Sequence, residues 1–170
     1  MRTTDLTPAL TTLFTELAYG ADGGGNAFIL NSGDAGLLRS IDGLSAAQAS
    51  ACANGGATIA AHARHLSYGL SLMNRWVRDG GDPFADAKWD EAWKTSRVDG
   101  GEWDVIHSDL AAEASAWSVA LGDDREVSTT EMTGLIASIA HVAYHLGAIR
   151  QIEKDARGPK EGTFAYSLRT

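Results

Sequence analysis

The sequence predicts an all-α fold, a four-helix bundle with long crossover-type connections, and three observations carry that prediction. Apolar residues recur at spacings of three and four in four long segments. The 19 glycines cluster between those segments, where helix breakers belong. No stretch of useful length alternates with the period of two that a half-buried strand requires.

The first segment runs from about Asp5 to Tyr19, with Leu6, Leu10, Leu13, Phe14 and Leu17 on one stripe and Gly20 as its stop. Residues 21–56 follow, a long connection in which Asn, Ser, Gly and Asp punctuate short apolar runs; SAAQASAC within it reads as a two-turn helix capped by Ser45. The second long helix is expected from Thr58 to about Arg78, carrying Ile59, Ala63, Leu66, Leu70, Met73 and Val77 before the breaker pair Gly80 and Gly81. DPFADAKWDEAW then reads as a loop containing Pro and Trp. The third helix is expected from Glu102 to Leu121, with Trp103, Ile106, Leu110, Ala114 and Trp117 in register. The fourth begins at Ser128 or Thr129, where Ser128 and Glu131 have capping-box spacing, and extends to about Lys154.

Four amphipathic helices bury their stripes against one another. The link of about six residues between the third and fourth predicts antiparallel neighbours, whereas the roughly 35-residue and roughly 20-residue links leave room for crossovers.

Length and composition set the outer bounds. A chain of 170 residues with 44% hydrophobic and 21% charged residues is expected to form one domain, residues 1–170, and to bury roughly 70% of the surface exposed by its unfolded form. The formal charge of -8 opposes binding to phosphate backbones, and no Lys/Arg cluster offsets it, so no nucleic-acid partner is expected. The opening MRTTDLTPALTTLF lacks the apolar core of a secretion signal, and no uninterrupted apolar run approaches the ~18 residues of a membrane span. No membrane partner and a cytoplasmic location are the corresponding expectations. Cys52 is the only cysteine, so a Cys-rich zinc site is excluded and any metal must be held by His or carboxylate. Its place at the end of a short helix predicts a buried or half-buried, inert thiol.

The histidines are the candidate chemistry. Of five, His62 and His65 fall on the second long helix and His141 and His145 on the fourth. HVAYH sets His141 and His145 one turn apart on one face, about 5 to 6 Å, a spacing suited to gripping one ion. At about 100° per residue they lie on a flank of the apolar stripe centred on Leu135, Ile139, Val142, Leu146 and Ile149. His65 lies on a matching flank of its own helix, with Leu72 and Trp76. Two such flanks can face one cleft, and three neutral imidazoles leave coordination positions open for water or substrate. His62 is nearer the centre of its stripe and reads as a core residue or one that supports a ligand; His107 reads as a helix-surface residue. Trp89, Trp93, Trp103 and Trp117 either fill the core or line a pocket.

TIAAHARHL at Thr58 to Leu66, HVAYHLGAIRQI at His141 to Ile152, and DPFADAKWDEAW followed by the Trp103 helix together resemble the DinB/YfiT-like family of four-helix metalloenzymes. The likeness covers most of the chain. It implies a bundle with non-sequential helix order, often a homodimer, in which His65 rather than His62 joins His141 and His145 as metal ligands. It also implies a divalent ion, zinc or nickel foremost. Some members are S-transferases or isomerases using low-molecular-weight thiols such as bacillithiol or mycothiol, and many have no assigned activity. NSGDAGL, with Asn31 and Asp34, resembles a segment in a subgroup of these proteins; an Asx-type turn is its plain account.

The leading functional expectation is a metal-dependent transferase that activates a low-molecular-weight thiol toward a small-molecule electrophile. A metal-dependent hydrolase is the second reading and would call for a carboxylate near the ion, with Asp34 and Asp90 as candidates. A non-catalytic, stress-associated metal-binding protein is the third. No general base is assigned, and Arg150 reads as an exposed side chain.

Overall fold

The computed structural model describes residues 3, 6–21 and 26–159. Among them the chain is helical throughout: α1 Thr7–Tyr19, α2 Gly36–Asp42, α3 Ala46–Ala49, α4 Ile59–Asp79, α5 Trp89–Ala92, α6 Gly100–Gly122, α7 Thr129–Ile152 and a final 3-10 turn at Lys154–Ala156. The sole β feature among these residues is an isolated bridge between Cys52 and Thr58.

Side-chain caps determine where most of these helices begin. Ser128 accepts from the Glu131 N–H while Glu131 reaches back to the Ser128 N–H, and Asp99 with Glu102 and Ser45 with Gln48 form the same reciprocal pair. Thr58 accepts from the Ala61 N–H at 3.1 Å and starts α4. The four long periodic segments therefore stand close to their expected bounds, although Asp5 lies outside the described residues and α7 ends at Ile152, before Lys154. Two short helices add to the expectation. α2 occupies the punctuated run after Asn31, and α5 forms a single turn within the segment read as a Trp-containing loop.

α4 packs against α6 and α7, and α1 also packs against α6 and α7, so the four long helices stand in the cyclic order α1, α6, α4, α7. The expected adjacency of the third and fourth long helices, α6 and α7, does not hold: they face each other across the core. Six residues in extended conformation reach about 20 Å, enough to cross the diagonal between helices spaced about 8–10 Å apart. Trp117 on α6 spans that diagonal, its indole N–H donating to Ser138 Oγ on α7 at 3.0 Å. Phe14, Leu17, Ile41, Ile59, Leu110 and Ile149 join Trp117 in the solvent-free centre.

The irregular stretch between α1 and α2 is pinned by two carboxylates. Glu16 is buried and accepts from the backbone N–H groups of Phe28, Ile29 and Leu30. Asp34 accepts from the Gly36 N–H and forms a two-pronged pair with Arg150 at 2.6 and 3.0 Å, so Arg150 is not the exposed side chain read from the sequence. At the α1–α2 corner the backbones at Gly20 and Gly36, both at positive φ, pass too close for any Cβ. Cys52 is exposed rather than buried.

α7 is the one described helix long and apolar enough to cross a membrane by length and composition, with a mean hydropathy of 1.4 over its best window. Its apolar face is taken up by the core against α1 and α4.

The side chains of Asp34 and Arg150 are 2% and 16% exposed, so removing one strands the other charge. Asp34→Ala is expected to lower unfolding free energy by about 3–5 kcal/mol, measured by urea denaturation, while Asp34→Ala combined with Arg150→Met recovers much of the loss. Equal stability of the single and double variants would show that the pair is not coupled.

Candidate metal centre

Thr58 caps α4 so that His62 and His65 fall in its first two turns, facing the middle of α7 where His141 and His145 stand one turn apart. The packing of α4 on α7 brings the four rings together. His65 Nε2 lies 3.1 Å from His141 Nε2, and His145 Nε2 lies 2.8 Å from the same atom. One donor nitrogen from each of His65, His141 and His145 fits within a set whose members are all within 4.8 Å of one another. The structure thus brings together the three residues the sequence singled out. His62 stands behind them, its Nδ1 2.8 Å from His145 Nδ1, the supporting position expected of it.

Three of the four rings are screened from water, His145 at 1%, His65 at 7% and His62 at 8% exposed, while His141 is half-buried. Burial first, and the neighbouring histidines after it, push the pKa of His65 down to about 4 and that of His145 down to about 3. His62 and His141 are also lowered by burial. All four imidazoles are therefore neutral near pH 7, the form that donates a lone pair to a cation.

The donor geometry fits a metal ion. Nitrogens at about 2.0–2.1 Å from a tetrahedral ion stand about 3.3 Å apart, slightly beyond the 2.8 and 3.1 Å separations here. With protons on Nδ1, all three Nε2 lone pairs point inward and His145 Nδ1–H donates to His62 Nδ1. Without a cation, His141 Nε2 must face two ring nitrogens with only one proton or one lone pair to offer, and serves one contact at the expense of the other. His65 Nδ1 is buried without a hydrogen-bond partner; its ring is held by stacking instead.

That stacking comes from the segment after α4. The Trp93 indole lies over His65 with centroids 4.2 Å apart and planes inclined by 25°, and Trp89 approaches the same ring at 5.3 Å. Tyr68 Oη accepts from the Lys88 N–H at 2.8 Å and ties this roof to α4. Four of the five tryptophans thus divide: Trp103 and Trp117 fill the core, while Trp89 and Trp93 cover the histidines. The sequence contained the signal, since Trp89 and Trp93 are four apart and a single helical turn places both indoles on one side.

The remaining candidates lie elsewhere. Asp34 is committed to Arg150, and Asp90 is exposed beside Lys94. His107, half-buried rather than on the open surface, faces the Leu38 carbonyl. Among the described residues the convergent donor group holds no carboxylate.

Fold and site together define an all-helical protein with a buried three-histidine group that could hold a metal ion. Compared with family models, with curated proteins and with solved structures, the chain gives no match.

The depressed imidazole pKa values carry a sign. The unfolded chain takes up protons near pH 6.5 that the buried rings refuse, so this stability is intact above pH 6.5 and is lost as pH falls through about 4 and then about 3. The Tm of metal-free protein is expected to fall steadily from about pH 7 to about pH 4.5, and less steeply in a His62→Phe/His145→Phe variant. A wild-type slope no steeper than the variant's would contradict the burial argument.

Proposed function

We propose that the chain is a DinB/YfiT-like four-helix bundle whose His65, His141 and His145 bind one divalent ion, zinc or nickel, in a metal-dependent transferase that activates a low-molecular-weight thiol toward a small electrophile. The observation that carries the reading is the convergence of three neutral Nε2 atoms from two packed helices. The cyclic helix order, with α6 and α7 on a diagonal, supports a bundle of non-sequential order.

A divalent ion held there would supply positive charge that favours the deprotonated form of a coordinated thiol. The chain's own residues prepare the place for it. His62 holds the His145 ring in the tautomer that turns Nε2 inward. Trp93 and Trp89 cover His65 and limit water at its face of the cluster. No cysteine is needed, and Cys52 is exposed and outside the donor group. Hydrolysis, the alternative reaction at such a centre, is less well supported because neither Asp34 nor Asp90 stands with the donors. Homodimerisation belongs to the same reading, and Val105 and Val119, 56% and 70% exposed on the outer face of α6, supply apolar surface for it.

Elemental analysis of protein purified without a His tag is expected to find one ion per chain. His141→Ala or His145→Ala should weaken metal binding by at least about tenfold with the far-ultraviolet circular dichroism unchanged, and His62→Ala should weaken it less than His65→Ala. A His141→Ala/His145→Ala protein that keeps a full equivalent of metal would refute the assignment. Transfer of a low-molecular-weight thiol to an electrophile by the loaded protein, lost with the metal, tests the reaction; turnover of ester or amide panels without thiol would favour hydrolysis instead.

A further inference from the structure

Between α4 and α7, directly beside the histidines, runs a groove of about 490 Å³. Its walls are built from Leu70, Met73, Val142, Phe84, Trp89 and Tyr144, and His141 closes one end. None of the residues lining it carries a formal charge, in a chain with 36 charged side chains, 14 basic and 22 acidic. Its one hydroxyl within the core, Ser138, is already bonded to Trp117 and the Leu135 carbonyl.

Two glycines in helix interiors keep the groove open. Gly69 stands in the middle of α4 and Gly134 in the second turn of α7, where each costs about 1 kcal/mol relative to alanine. Backbone conformation does not call for them, since neither has positive φ. Nor does steric conflict: a Cβ at Gly69 would sit 3.7 Å from His141 Cε1 and 3.8 Å from Trp89, and one at Gly134 would sit 3.8 Å from Met73 Cε, all ordinary contacts. What both positions preserve is volume, on opposite walls of a single cavity.

The His141 ring belongs to both places. Its Nε2 faces His65 and His145, while its Cε1 and Nδ1 edge lies toward Gly69 at the floor of the groove. A molecule seated here therefore presents one end to the proposed metal centre. Phe84 and Tyr144, 46% and 69% exposed, flank the mouth with aromatic faces. A charged ligand would lose its hydration against these walls and meet no charged side chain among them, whereas a flat apolar body would find stacking surfaces and a volume within the range of small-molecule sites.

We infer that this groove seats the body of an uncharged, apolar, aromatic-sized substrate, the electrophile of the transferase reaction, with its reacting end at His141. The substrate assignment rests on the metal-centre reading, but occupation of the groove is measured without it.

N-phenylnaphthylamine, an uncharged fluorescent probe, and its sulfonated analogue anilinonaphthalene sulfonate present the same rings with and without a charge. Wild-type protein, metal-loaded and metal-stripped, is expected to bind the uncharged probe saturably at one site per chain and the sulfonated one at least about tenfold more weakly. Gly69→Ala narrows the groove from α4. Ala137→Phe, at an exposed position on its α7 rim, fills it from a site that tolerates bulk. Each is expected to weaken the uncharged probe about tenfold, with helicity and metal content unchanged. Equal affinity for both probes, or indifference to both substitutions, overturns the proposal. So does a wild-type protein that takes up no probe and sediments as a dimer dissociated by Ala137→Phe, which would make the groove an interface between copies. Metal content of the same samples separates the two failures: metal without probe binding defeats the groove, and probe binding without metal defeats the centre and the substrate assignment that rests on it.

Discussion

Four imidazoles, three of them buried and His141 half-buried, meet in contacts that no single placement of their protons satisfies, and much of the site's character follows from that conflict. His141 Nε2 is asked to face both His65 and His145, yet a neutral ring nitrogen is either a donor or an acceptor. In an aqueous setting a histidine would resolve the conflict by taking up a second proton. Burial opposes this, and the mutual repulsion of His65 and His145 with their neighbours reinforces the opposition. The rings stay neutral, with lone pairs available to a cation.

The fold serves that arrangement through a small number of contacts. The Thr58 cap sets the phase of α4, the packing of α4 on α7 sets the distance between histidine pairs, and His62 orients the most deeply buried ring from behind. The tryptophan roof is a separate piece, joined to α4 through the bond from Lys88 N–H to Tyr68 Oη. Outside the histidine cluster, Glu16 and the Asp34–Arg150 pair do comparable work for the segment before α2, where side-chain carboxylates take the backbone and guanidinium donors that regular structure leaves over.

Much of this was legible in the residues. Helical periodicity and the caps at Ser45 and Ser128 located the long helices and α3, because both signals act within a few residues of chain. The identity of the converging histidines was legible for a related reason: each angular position on a helix is fixed by local geometry, and matching flanks on α4 and α7 pointed to a shared cleft. Helix adjacency was not. A six-residue link reaches a neighbour or a diagonal position equally well, and the packing of α1 and α4 on both helices, with Trp117 bonded to Ser138 across the core, sets the diagonal. The pairing of Arg150 with Asp34, 116 residues apart, was likewise beyond local reasoning; the spacing of Trp89 and Trp93 puts both indoles on one side of a turn but does not say that His65 lies under them.

The sequence separation within the histidine cluster has a temporal corollary. His65 and His141 are 76 residues apart, and two of the three converging nitrogens belong to the last long helix. A nascent chain complete through α6 offers one member of the triangle alone, beside a hydrophobic seam still waiting for α7. The contact of α7 with α4 is what brings the three nitrogens together, so the donor set is complete only where that contact is made.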